Sequence, residues 1–229
     1  MKTKIIGHRG AAGLALENSL SSIKLALSME VDAVEFDVRL TKDSELVLSH
    51  DATLARVSNT DFRIKDLTTG ELAAVKLSNG ENVPTLREVL ELFKETNIRA
   101  IIELKSANAS GQLLRLIEDF QDINITVASF KHDELERLKT ALPSLPIYLG
   151  ERTKPLEIVQ KARAVHADGI DLNFWLLNPL TYWQARRAKL DIMVYTVNSR
   201  FIGWFLKLLY PHILICTNYP NRFRHHASK

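Results

Sequence analysis

Only one cysteine occurs in the 229-residue chain, Cys216, set between Ile215 and Thr217 in an apolar run. A lone thiol cannot close an intramolecular disulfide or build a thiolate metal cluster, so Cys216 reads as a buried, inert side chain. Long apolar runs are missing as well. Residues 201–209 come nearest, but Lys207 interrupts them, and they fall far short of the roughly 20 residues of a membrane span. The first residues turn polar at His8-Arg9, before an apolar signal-peptide core can accumulate. Nor is there an excess of charge: 30 Lys and Arg stand against 27 Asp and Glu, a formal net charge of +3. That balance gives no argument for nucleic acid or an anionic membrane as a partner. Linker-like stretches and low-complexity tracts are also absent. The expectation is one soluble, cytoplasmic domain over residues 1–229.

What is present is ordinary globular material, 46% hydrophobic and 25% charged, patterned in a particular way. Short runs rich in Ile, Val and Leu fall at 5–8, 33–38, 100–105, 126–130, 146–149, 169–173, 192–198 and 213–218. They lack clean polar alternation, as parallel strands covered on both faces do. Helical spacing fills the gaps. Leu16, Leu20, Ile23 and Leu27 share one helix face behind a cap at Asn18 or Ser19, and Thr85 with Glu88 forms a capping box. Further helices are predicted near 111–121, 132–142, 155–166, 179–189 and 200–209. Eight strand-helix repeats predict a (β/α)8 TIM barrel; an open doubly wound sheet is the alternative. One segment breaks the rhythm: residues 45–50 read as a returning hairpin strand, and 51–83 as a polar insertion after the second strand. An excursion of that length predicts a small ordered subdomain or lid.

Barrel enzymes carry their chemistry at the C-terminal ends of the strands. There the sequence places His8-Arg9, Glu35 with Asp37, and Glu103 with Lys105. Residues two apart on a strand share a face, so each pair can project together into the barrel. A strand carboxylate is usually solvated or paired, but Val34, Phe36, Val38, Ile101, Ile102 and Leu104 surround these three. Buried charge is costly unless paired or ion-bound. The oxygen-rich set Glu35, Asp37 and Glu103 therefore predicts a hard divalent cation, Mg2+, Ca2+ or Mn2+, over zinc. His8 ends the first strand and His50 the hairpin strand. Two imidazoles beside a cation suit general acid and base in a displacement, and Arg9 and Lys105 suit a phosphate oxygen. Trp175, Trp183 and Trp204 read as barrel or helix packing, and Trp175, after the strand at 169–173, is the candidate to test for head-group contact. Arg222, Arg224, His225 and His226 read as a solvated basic tail. A metal-dependent lyase or aldolase barrel, or a binding protein on an inherited barrel, remain open on the residues alone.

The ordered set His8-Arg9-Gly10, Glu17-Asn18-Ser19, Glu35-Phe36-Asp37-Val38, Thr41-Lys42-Asp43, His50-Asp51, Pro84-Thr85-Leu86, Glu103-Leu104-Lys105 and Thr196-Val197-Asn198 resembles the glycerophosphodiester phosphodiesterases. The resemblance runs from Gly7 to about Pro220. It implies a barrel with a small insertion, a divalent cation, and hydrolysis of a small-molecule glycerophosphodiester to glycerol 3-phosphate and an alcohol. It further implies His8 and His50 as the acid-base pair and Glu35, Asp37 and Glu103 as ligands. Arg9 and Lys105 would hold the phosphate, with Glu17 and Asn18 lining the mouth. The sequence departs from the family pattern at Leu16 (commonly proline), Tyr195 (commonly tryptophan) and Asn218 (commonly aspartate).

Overall fold

Eight parallel strands close into a ring in the computed structural model, which describes residues 4–223. They are β1 (Lys4–His8), β2 (Ala33–Leu40), β4 (Arg99–Leu104), β5 (Ile125–Ser129), β6 (Ile147–Glu151), β7 (Gly169–Asn173), β8 (Asp191–Tyr195) and β9 (Leu214–Thr217). β1 pairs with both β2 and β9, which closes the barrel. The short β3 (Leu46–Leu48) lies antiparallel to β2, outside the ring. This is the expected (β/α)8 barrel.

The missing polar alternation has a direct cause: both faces of the strands are covered. One parity points inward, where Ile6, Ala33, Ile101, Ala128, Tyr148, Met193 and Cys216 fill the barrel. The other, with Val34, Phe36, Ile102, Val127, Leu149 and Ile170, packs beneath the helices. Phe36 is fully buried, its ring 6.0 Å from that of Phe93; truncating such a residue to Ala costs about 3–5 kcal/mol. At the barrel floor Tyr148 donates to Asp191 Oδ2 (2.5 Å) and accepts from Arg99 Nη1 (3.2 Å). Gly169 makes room for that tyrosine, because a Cβ there would lie 2.5 Å from the ring.

The outer helices are α1 (Leu20–Ser28), α3 (Leu86–Glu91), α4 (Ser110–Ile117), α5 (His132–Ala141), α6 (Ile158–Ala164), α7 (Pro179–Arg187) and α8 (Arg200–Leu209), with the single-turn α2 (Thr69–Leu72) in the insertion. Ser19 caps α1 by accepting from Ser22 N–H, and Thr85 with Glu88 forms the predicted capping box of α3. Several strands are shorter than expected. The run at 192–198 leaves the ladder after Tyr195; beyond it Val197 N–H donates to Cys216 O (2.9 Å) and the Asn198 carboxamide accepts from Asn218 N–H (2.9 Å). The hairpin strand keeps only Leu46–Leu48. Residues 51–83 are ordered around a small core of their own, in which Leu54, Ile64, Leu72, Val75, Leu77 and Val83 pack against Val47.

One expectation fails. The tryptophans do not pack inside: Trp175, Trp183 and Trp204 are 77%, 56% and 59% exposed. Helical spacing shows that a stripe is apolar, but not which stripe meets the barrel. Arg222 is exposed, as expected, and is also anchored: it donates to Asn198 O (2.9 Å) and stacks on the Tyr219 ring. Arg224, His225 and His226 lie outside the described residues. Among the described residues no helix is long and apolar enough to cross a membrane.

Candidate active site

The strand register assembles the site. His8 lies opposite Glu35 across β1 and β2, and Asp37 lies opposite Glu103 across β2 and β4. All three carboxylates have inward parity and are buried, Asp37 completely. One oxygen from each of Glu35, Asp37 and Glu103 falls within 4.8 Å of the others.

Cations hold one corner of this cluster. Asp37 faces Lys105 Nζ at 3.0 Å and Arg9 Nε at 3.2 Å, and it accepts from Asn18 Nδ2 at 2.9 Å. Burial alone would raise its pKa, but Lys105 and Arg9 outweigh burial and bring it down to about 2. Glu103 takes a 2.5 Å hydrogen bond from Lys105, yet burial and the neighbouring Asp37 push it up to about 7. Glu35 is the least compensated. Its Oε2 accepts from Arg9 N–H (2.9 Å), its Oε1 has no partner, and burial with Asp37 and Glu103 drives its pKa well up.

A tight turn after β1 places the next groups. Arg9, Gly10 and Asn18 all adopt positive φ (51°, 83° and 54°), and at Gly10 a Cβ would meet Ser22 at 2.4 Å, so glycine is required. The turn brings Asn18 beside Asp37, where Asn18 Oδ1 also accepts from Asp37 N–H (3.1 Å). Glu17 does not join the carboxylates. It is paired with Arg9 Nη1 (2.9 Å) and with Arg56 from the insertion.

The two histidines have different surroundings. His8 Nε2 lies 4.0 Å from Glu35 Oε2, while Nδ1 donates to Asn218 Oδ1 at 2.6 Å. A neutral ring that donates from Nδ1 keeps its lone pair on Nε2, the nitrogen turned toward the carboxylates. Burial, then Arg9, lowers the His8 pKa to about 4. His50 is more open; its Nδ1 meets Asp51 Oδ1 at 2.7 Å, and its carbonyl accepts from Arg39 Nε and Nη2 (3.0 and 2.7 Å). Its pKa is also lowered, mainly by burial and by Arg9 and Lys105 against the pull of Asp37.

Trp175 sits at the same end of the barrel, stacked on Phe174 (4.6 Å), with no described contact to the carboxylate cluster. Beside Glu103 and Lys105 opens a cavity of ≈ 400 Å³, walled by Arg39, Phe130, Lys131, His132 and Arg152. A larger cavity of ≈ 920 Å³ lies between α6 and α7, away from this chemistry.

Sequence reasoning missed two polar groups. Asp171 on β7 is a fourth inward carboxylate, 3% exposed, with Oδ1 unpartnered and its pKa driven well up by burial and then Glu103. Its signal was the one that revealed Glu35, an acid within an apolar strand. Asn218 was noted only as a departure, and its bond to His8 spans 210 positions. Cys216 is close to His8 and Glu35, but burial keeps its thiol protonated, which makes it a poor ligand.

Comparison with known proteins identifies the family. The sequence profile of the Glycerophosphoryl diester phosphodiesterase family matches residues 8–221. A glycerophosphodiester phosphodiesterase of Caldanaerobacter subterraneus subsp. tengcongensis is 35% identical over 162 residues, 65% of this chain and 67% of the relative. A solved glycerophosphodiester phosphodiesterase from Parabacteroides distasonis is 25% identical, with a TM-score of 0.85 over 97% of this chain and 95% of its own. An Oleispira antarctica phosphodiesterase, solved in complex with sn-glycerol-3-phosphate, shares the fold with a TM-score of 0.91 at 22% identity, over 97% of this chain and 95% of its own. With the barrel, the carboxylate cluster and a profile match over nearly its whole length, the chain belongs to the glycerophosphoryl diester phosphodiesterase family.

Proposed function

We propose that the chain hydrolyses glycerophosphodiesters to glycerol 3-phosphate and an alcohol, with a divalent cation held by Glu35, Asp37 and Glu103 and with His8 and His50 moving protons. The observation that carries this reading is the unpartnered Glu35 Oε1 beside two further buried carboxylates. Three such groups repel one another, and oxygen-only donors suit Mg2+, Ca2+ or Mn2+. The residues therefore fit the group. When bound, such a cation neutralises charge developing on the phosphoryl oxygens and lowers the pKa of a nearby hydroxyl.

The chain's own groups divide the remaining work. Arg9 and Lys105 supply positive charge for the phosphate, and Asn18 with Asp37 keeps Arg9 in place. His8, neutral and with Nε2 free, is the base. It takes the proton of the glycerol 2-hydroxyl, whose oxygen attacks phosphorus; intramolecular attack gains from proximity. The bond from phosphorus to the head-group oxygen breaks, and that oxygen leaves with the electron pair and takes a proton from His50. Asp37 and Asp51, the latter against His50 Nδ1, favour the imidazolium needed for that donation and oppose the burial that lowers the His50 pKa. Water then opens the cyclic phosphate with the roles reversed: His50 takes its proton and His8 returns one to the 2-oxygen. Trp175 and the ≈ 400 Å³ cavity are candidates for holding the departing head group.

The test is product identification over a panel of glycerophosphodiesters. Equal release of glycerol 3-phosphate and alcohol is expected, with an analogue lacking the 2-hydroxyl turned over far more slowly than its parent. Release of glycerol and a phosphorylated head group would sink the reading. Equal maximal rates for analogue and parent would rule out the cyclic route alone.

A further inference from the structure

Helix α8 turns an unbroken apolar stripe to solvent. Its inner face is Gly203, Leu206 and Tyr210, closed by the Phe223 ring, which a Cβ on Gly203 would meet at 2.4 Å. Its outer face is Phe201, Trp204, Phe205, Leu208 and Leu209, each 47% to 73% exposed. These positions follow helical spacing, so they form one face. A barrel helix normally meets water with charge, as α5 does through Asp133, Glu136 and Arg137. The neighbouring α7 extends the patch with Leu180 and Trp183, 49% and 56% exposed. The two helices are joined where Tyr182 stacks on Tyr210 at 5.2 Å and donates to Pro211 O at 2.8 Å. Exposed apolar patches of this kind mark a partner surface.

Charge identifies the partner. Residues 172–223 contain Arg186, Arg187, Lys189, Arg200, Lys207 and Arg222 against one acidic residue, Asp191. Asp191 accepts from Tyr148 at the barrel floor. The apolar stripe is thus bordered by cations without a balancing anion on either helix. A second copy docked face to face would oppose these cations to themselves, because an isologous contact pairs the same patch with itself. An anionic lipid surface satisfies both features. Aromatic and aliphatic side chains settle at the headgroup boundary, and Arg and Lys meet the lipid phosphates.

We propose that the α7–α8 face docks this protein onto anionic phospholipid bilayers, with α8 lying in the plane of the interface. α8 starts at the C-terminal end of β8, so Arg200 and Phe201 stand at the mouth end of the barrel. Docking therefore holds the mouth beside the bilayer, where phosphodiester head groups are presented. The proposal concerns binding and does not depend on the reaction assigned above.

The test uses the full chain with vesicles of phosphatidylcholine alone or mixed with phosphatidylglycerol, followed by co-sedimentation and tryptophan emission. Binding to the mixed vesicles is expected, with a blue shift of emission and weakening by salt. The double variant Phe201→Ser, Trp204→Ser should lose at least about tenfold in vesicle affinity, since it deletes the inserted aromatics. Arg186→Gln with Arg187→Gln should lose binding to the mixed vesicles selectively. These exposed positions lie outside the site, so hydrolysis of a soluble glycerophosphodiester should be unchanged and serves as the folding control. No binding to either vesicle overturns the proposal, as does binding that survives the aromatic double variant. A dimer in ultracentrifugation that Trp204→Glu dissociates, without vesicle binding, assigns the face to a second copy instead and also overturns it.

Discussion

Asn218→Asp offers the sharpest probe of the His8 environment. The wild-type carboxamide accepts from His8 Nδ1 at 2.6 Å but carries no charge, and burial with Arg9 leaves His8 near pKa 4. A carboxylate of the same shape would put a negative charge about 4 Å from the imidazolium centre, worth about 4 kcal/mol at an effective dielectric of about 20. Half-burial of the new carboxylate offsets part of this, and opposite charges at such range shift a pKa by about 1–3 units. His8 should therefore rise from about 4 to about 6. The sign follows from its role. A base must be neutral to accept, so the acidic limb of kcat/KM should move about two units toward alkaline pH. Rates would fall near pH 5 and change little near pH 8. Stability moves the other way. A histidine with a depressed folded pKa destabilises the fold as pH falls below its unfolded value of 6.5. The variant should relieve that loss between about pH 6.5 and 4. The assay is a pH–rate profile alongside an NMR titration of His8. An NMR pKa still near 4 would refute the electrostatic reasoning; a raised pKa with an unmoved acidic limb would refute His8 as the base.

Glu35→Gln should weaken divalent-cation binding strongly in calorimetry, yet raise the cation-free melting temperature at neutral pH, because it removes a buried acid whose ionisation burial, Asp37 and Glu103 oppose; a lower melting temperature would contradict the repulsion argument. His8→Ala and His50→Ala should each lose roughly 10²–10⁴-fold in rate with cation affinity retained. A variant that also loses the cation would show that its histidine is a ligand. Arg56→Gln removes the bridge from Arg56 to Glu17 and Asp51 at the mouth, leaving Glu17 on Arg9 and Asp51 on His50. It should raise KM severalfold while the melting temperature barely moves, as exposed ion pairs contribute about 0–1 kcal/mol; unchanged KM would leave the insertion a structural role only.

The part of the site that was legible in sequence depends on strand parity. Glu35 with Asp37, and Glu103 with Lys105, each share a face because a strand repeats every two residues, and adjacent parallel strands then bring the pairs together. Asp171 shares the inward parity but gives a weaker signal, since no second charged residue lies on its strand. The contact between His8 and Asn218 was beyond local reasoning. It exists only because the barrel closes and lays β9 beside β1. Trp204 is exposed against expectation because α8 has two apolar faces, and spacing alone does not say which one meets the barrel. Whole-chain charge is likewise coarser than local charge. A net charge of +3 conceals the basic stretch over residues 172–223, whose only acid is Asp191.

The central claim is that Glu35, Asp37 and Glu103 bind a cation that phosphodiester hydrolysis requires. It is tested most directly by measuring glycerol 3-phosphate release after exhaustive chelation and again on adding back Mg2+, Ca2+ or Mn2+. The account predicts that activity is lost with chelator and restored by at least one of these ions in the wild type, but not at the same ion concentration in Glu35→Gln. Full turnover in excess chelator would contradict it.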